Sequence, residues 1–120
     1  MHTIAILLIA LVALEHLWFL ILEMFLWQQP IGLRTFGNTP ENARTMAVLA
    51  ANQGLYNGFL AAGLVFALAY PEPAASKAIA TFFLACVIVA GAYGGWSVSR
   101  RILYVQAAPA LVALVLLWLG

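Results

Sequence analysis

The sequence predicts an all-α membrane protein, with four transmembrane helices in an antiparallel bundle. Three observations carry this prediction. Of 120 residues, 66% are hydrophobic and only 8% are charged, whereas a soluble domain is typically about 45–50% apolar and about 25% charged. The mean hydropathy is +1.04. A span needs about 20 mostly apolar residues, and four stretches meet that need: residues 3–27, 43–70, 76–98 and 102–120. The connections between them are short, which makes consecutive helices antiparallel neighbours. All 120 residues then form one transmembrane domain, with membrane lipid as the main surroundings. The net charge of +1 gives no reason to expect nucleic acid as a partner.

The first span begins near the N-terminus. It has no Lys/Arg-rich leader, its apolar run is long, and acids interrupt that run, so it reads as a retained helix and not a signal peptide. Within it, "ALEHLWFLILEMFLW" places Glu15, His16 and Glu23 in an otherwise apolar stretch. The loop that follows, residues 28–42, contains Pro30, Gly32, Gly37 and Pro40. Thr39 followed by Pro40 reads as an N-cap with proline at the first helical position, and Glu41 complements the positive helix end.

The second span carries "ANQGLYNG", in which Asn52 pairs with Tyr56 and Gln53 with Asn57 at i,i+4 spacing. Gly54 and Gly58 form a GxxxG pair that predicts close helix packing, within the chain or across a homodimer. Pro71 and Pro73 end this span. The third span holds Cys86, which as the sole cysteine forms no internal disulfide and behaves as a small apolar residue. It closes on Tyr93 and a glycine cluster, and "SVSRR" turns the chain. In the fourth span Pro109 removes an N–H and frees the carbonyl of Val105 beside Gln106.

Orientation follows the Lys/Arg distribution. Arg34, Arg44, Arg100 and Arg101 lie in or beside the first and third connections, and only Lys77 lies near the second. Loops 28–42 and 99–101 are therefore expected in the cytoplasm and both termini outside, in a cell membrane crossed several times. Trp27 and Trp96 then mark one interface and Trp118 the other, while Trp18 falls mid-span.

His16 and Glu23 are seven residues apart and share a helix face, with Glu15 on its flank. At a rise of about 1.5 Å per residue, Glu15, His16 and Asn57 fall near the midplane. Gln53 and Gln106 lie about 6 Å to the cytoplasmic side, and Glu23, Tyr93 and Tyr104 about 9–12 Å. The polar residues thus form one layer in the cytoplasmic half. An unpaired charge at the bilayer centre costs at least about 2.5–3.5 kcal/mol, so these groups are expected to face one another.

Four quoted stretches, "ALEHLWFLILEMFLW", "FGNTPENA", "LAANQGLYNGFLAAGL" and "VAGAYGGWSVSRRILYVQAAPALVALVLL", together resemble the small membrane proteins catalogued as domain of unknown function 1304. The resemblance covers nearly the whole chain. It implies an integral membrane protein with four spans and brings no activity or catalytic residues with it. The bundle is also similar in outline to DoxX-like membrane proteins, a likeness of fold alone.

Three functions fit these residues. The first is binding, with transport, of a small, largely apolar or amphipathic molecule coupled to protonation. Its site would comprise Glu15, His16, Trp18, Glu23, Asn52, Gln53, Tyr56, Asn57, Tyr93 and Gln106. The second is a membrane enzyme of isomerase or hydratase type, with Glu15, His16 and Glu23 as catalytic candidates and Trp18, Tyr56 and Tyr93 shielding a cationic transition state. The third is a structural or assembly protein in which the same groups lock the helices. One histidine and two carboxylates without His- or Cys-rich spacing do not predict a metal site, and no cofactor is expected.

Overall fold

Runs of Leu, Ala, Ile and Val broken only by Pro and Gly clusters suit helix, which satisfies the backbone polar groups within each segment. The computed structural model describes all 120 residues, and they form helices and turns with no strand. α1 runs Thr3–Met24. The imidazole of His2 accepts a hydrogen bond from the Ile4 N–H at 3.1 Å, so histidine caps this helix. At the other end the N–H groups of Phe25 and Leu26 both donate to the Ile21 carbonyl. The last turn widens there, and Trp27 lies beyond the helix.

The stretch expected as a loop over residues 28–42 contains α2, Pro30–Phe36, and the start of α3, Pro40–Thr45. Each begins on a proline, whose missing N–H would have had no helical partner. Gly37 ends α2 at φ 67, the left-handed position that strains any residue with a Cβ. Thr39 caps α3 as its sequence position predicts, accepting from the Asn42 N–H at 3.1 Å.

α4 is Ala47–Ala69 and α5 is Pro73–Ser97. Between them Glu72 caps α5, its carboxylate accepting from the N–H groups of Ala74 and Ala75. After the turn at Val98 and Ser99 come α6, Arg100–Ile102, a π-helical turn, Leu103–Ala107, and α7, Ala108–Leu119. In the π turn the Ala108 N–H reaches back five residues to the Leu103 carbonyl. This widened turn immediately precedes Pro109, where a helix would otherwise have to accommodate the proline ring.

Three helical segments, not the expected four, are long and apolar enough to cross a membrane: Thr3–Met24, Pro73–Ser97 and Arg100–Leu119. α4 has the length, at 23 residues. Asn52, Gln53 and Asn57 in its first half take the place of apolar side chains and lower its hydropathy.

The chain divides into two compact units, Met1–Leu14 with Leu60–Gly120, and Glu15–Phe59. In the first, one core draws Ile9 and Val12 from α1, Leu64 from α4, Leu84 and Val87 from α5 and Leu117 from α7. Alanines fill the rest of that core and let backbones approach closely, as in membrane interfaces. α5 lies tight on the π turn: a Cβ on Gly91 would sit 2.7 Å from the Ala107 nitrogen. At the opposite end of α5, the Ser76 hydroxyl donates to the Ala67 carbonyl at 2.6 Å. Nearby, the Trp118 indole donates to the Thr81 hydroxyl at 2.9 Å, and the Lys77 ammonium lies 4.0 Å from the centre of the Trp118 ring. Outward positions remain apolar, with Leu7, Val89 and Leu119 each more than half exposed.

Candidate functional site

The ionisable side chains of α1 and the amides of α4 belong to the unit Glu15–Phe59. Helical spacing predicts that His16 and Glu23 share a face, and both are buried, at 0% and 2% exposure. Small residues on α4 let the helices approach there. A Cβ on Gly54 would lie 3.0 Å from the Glu23 Cβ and 3.3 Å from the Leu20 carbonyl oxygen, and one on Gly58 would meet the Leu20 side chain. The GxxxG pair thus packs against α1 of its own chain.

That approach brings amides to a carboxyl group. The Asn57 amide donates to Glu23 Oε1 at 2.5 Å, and the Gln53 amide donates to Glu23 Oε2. Both oxygens of Glu23 are therefore engaged, by donors one helical turn apart on α4. Asn52 does not join them. It is exposed, and its amide donates to the Val48 carbonyl of its own helix at 3.1 Å.

The other acid of α1 has different neighbours. Glu15 Oε1 is buried and has no hydrogen-bond partner. His16 Nδ1 lies 3.9 Å from it, beyond hydrogen-bond range. The His16 and Phe19 rings meet in a T-shaped contact, with centroids 5.2 Å apart. Phe19 was not among the residues singled out from sequence, although its i+3 spacing from His16 gave the signal.

Several expected site residues lie elsewhere. Trp18 and Tyr56 are exposed, and Tyr56 stands 5.9 Å from Phe59. Tyr93 and Gln106 belong to the other compact unit. Tyr93 is exposed beside Trp96, and Gln106 occupies the π turn at intermediate burial. No three His, Cys, Asp or Glu side chains converge as metal ligands would.

Sequence reasoning also undervalued Trp27. It lies one turn beyond Glu23, its indole N–H donates to the Ala43 carbonyl at 2.8 Å, and its ring contacts Phe36 at 4.9 Å. One side chain thereby ties both short helices to the end of α1. Gly32 completes the attachment, since a Cβ there would collide with the backbone carbonyls of Leu26 and Trp27.

The arrangement has two chemically distinct parts. Glu23 accepts one amide on each oxygen, an arrangement suited to fixing α1 against α4. Glu15 presents a buried acceptor without a donor, and the His16 imidazole lies 3.9 Å from it.

Comparison with known proteins adds family and no activity. No solved structure matches the chain. It is 31% identical over 117 residues to the uncharacterized protein YpaA of Lactococcus lactis, covering 96% of this chain and 97% of that protein. The profile of the protein of unknown function (DUF1304) family matches residues 10–118. The chain belongs to the DUF1304 family.

Proposed function

We propose that this chain is an integral membrane protein that binds a small, largely apolar molecule by its polar end. Glu15 and His16 supply the contact and exchange a proton with it. The observation that carries the reading is the buried Glu15 Oε1, which lacks a hydrogen-bond partner beside His16. A buried acceptor left without a donor costs about 1–3 kcal/mol. A hydroxyl or amine on an otherwise apolar ligand would recover that cost. The pairing of carboxyl and imidazole also suits transfer of a proton during entry or release, which makes transport the expected outcome of binding.

Four crossings in an antiparallel bundle fit this reading better than three. A Cβ on Gly120 would lie 2.7 Å from the His2 Cβ, so both chain ends lie at one end of their unit. Three crossings would separate them across the membrane, and an even number returns them to one side. The Ser76–Ala67 and Trp118–Thr81 bonds likewise join the start of α5 to the ends of α4 and α7. This alternation supports α4 as a fourth span despite its amides, of which Gln53 and Asn57 are engaged by Glu23. The Lys/Arg bias supports a cytoplasmic position for residues 28–42 and 99–101.

The test starts with protein purified from membranes in mild detergent, with its bound small molecules extracted and identified by mass spectrometry. Wild type should carry a small amphipathic compound that Glu15→Gln loses. Reconstituted into proteoliposomes, that compound should cross under a pH gradient with wild type and not with Glu15→Gln. Equal retention and equal flux in both proteins would reject the proposal. Glu23 favours a different role, as a structural lock, because two amides already occupy its oxygens.

A further inference from the structure

We infer that the α2–α3 segment is a binding site for the headgroup of an anionic phospholipid, with Arg34 and Arg44 as its cationic arms. The inference rests on the membrane placement proposed above and goes beyond it in assigning a ligand class to the segment.

The segment is a fixed platform. Trp27 holds α3 through the Ala43 carbonyl and α2 through the Phe36 ring, while Gly32 seats α2 on the carbonyls that end α1. Arg34 lies on α2 and Arg44 on α3, the two short helices that Trp27 ties together. Both arginines are exposed. Neither forms an ion pair, the one such contact in the chain being between His16 and Glu15. Glu41 is the sole acid of the segment and lies in the first turn of α3, where the helix end already attracts it.

The surroundings suit a lipid better than a free anion. Phe25 is 69% exposed, and Phe36 and Met46 are partly exposed. An apolar rim bearing two unpaired arginines matches a phosphodiester with acyl chains attached. Guanidinium binds phosphate through paired, planar hydrogen bonds, and an indole at the end of a span belongs at headgroup depth.

The test uses the full chain in detergent, titrated with phosphatidylglycerol or phosphatidylcholine and read by native mass spectrometry. Wild type should prefer phosphatidylglycerol, with each arginine contributing about fivefold. R34Q with R44Q should bring the two lipids to parity, and R100Q with R101Q should leave the preference in place. Equal binding of both lipids by wild type, or an unchanged preference in R34Q/R44Q, would overturn the inference. Displacement of phosphatidylglycerol by excess inorganic phosphate would overturn it too, by assigning the site to the free anion. If R34Q/R44Q does not fold, Glu41→Gln gives the opposite sign: phosphatidylglycerol preference should rise, and no rise counts against the site. Flotation of wild type with phosphatidylcholine vesicles checks the membrane placement separately, because it requires no headgroup selectivity.

Discussion

Glu15 and Glu23 lie on one helix, yet their surroundings give them different work. Glu23 is held by Gln53 and Asn57, so removing a donor should be costly. Asn57→Leu is expected to lower stability by about 1–3 kcal/mol, because it strands a buried oxygen. Asn52→Leu should stay within about 0.5 kcal/mol, since Asn52 bonds only to its own helix and is exposed. Unfolding in mixed micelles, followed by tryptophan emission, measures both, and equal effects would contradict the division between these amides. The i+7 spacing of His16 and Glu23 and the i+4 spacing of Gln53 and Asn57 made the shared faces legible in the sequence. Nothing in it separated Asn52 from Gln53, because neighbouring amides of like chemistry differ only in the direction the helix gives them. The unpartnered oxygen of Glu15 was equally hidden, being a property of three-dimensional neighbours.

At the scale of the element, glycines and caps decide what can change. Gly91 faces backbone, with a would-be Cβ 2.7 Å from the Ala107 nitrogen. Gly58 faces only the end of the Leu20 side chain. Gly91→Ala should therefore cost about 1–3 kcal/mol by overpacking, and Gly58→Ala less than about 1 kcal/mol because Leu20 can rotate. Thermal denaturation of the two variants in one detergent ranks them, and the reverse order would refute this account of the packing. Gly37→Ala places a Cβ at φ 67 and should cost about 1–2 kcal/mol. Faster hydrogen exchange at the Asn38 N–H, which donates to Leu33, would report the loosened end of α2. The sequence revealed the Thr39 cap because hydroxyl, proline and acid stand in order. It concealed α2 because the seven residues Pro30–Phe36 are too few for a hydrophobic period to show. It also concealed the His2 cap, since imidazole is not among the residues usually found there.

For the whole molecule, the decisive measurement is the number of crossings. Cys86 is the sole cysteine, so a Cys86→Ser chain accepts single reporters at Thr35, Ala74 and Val98. Labelling with an impermeant maleimide should place Thr35→Cys and Val98→Cys on one side and Ala74→Cys on the other. If α4 does not cross, Thr35→Cys and Ala74→Cys will instead share a side. Composition alone made the helical class legible, because few other folds tolerate so little polar surface. The count of spans was less legible, because Gln53 and Asn57, which lower the hydropathy of α4, gain partners only after α1 is beside it.

The π turn has a consequence for chain length. A turn that closes through Leu103 and Ala108 accommodates one residue more than an α-helix would need. Insertions and deletions are ordinarily ruinous in a helix, because each rotates everything downstream by about 100°. Here the surplus residue is absorbed locally, and Ala110, Ala113 and Leu117 still reach the core. The chain therefore has one position in its final helix where its length can be edited. A deletion of Val105 should be better tolerated together with Pro109→Ala than alone, since the proline ring is what makes the uninterrupted helix unfavourable.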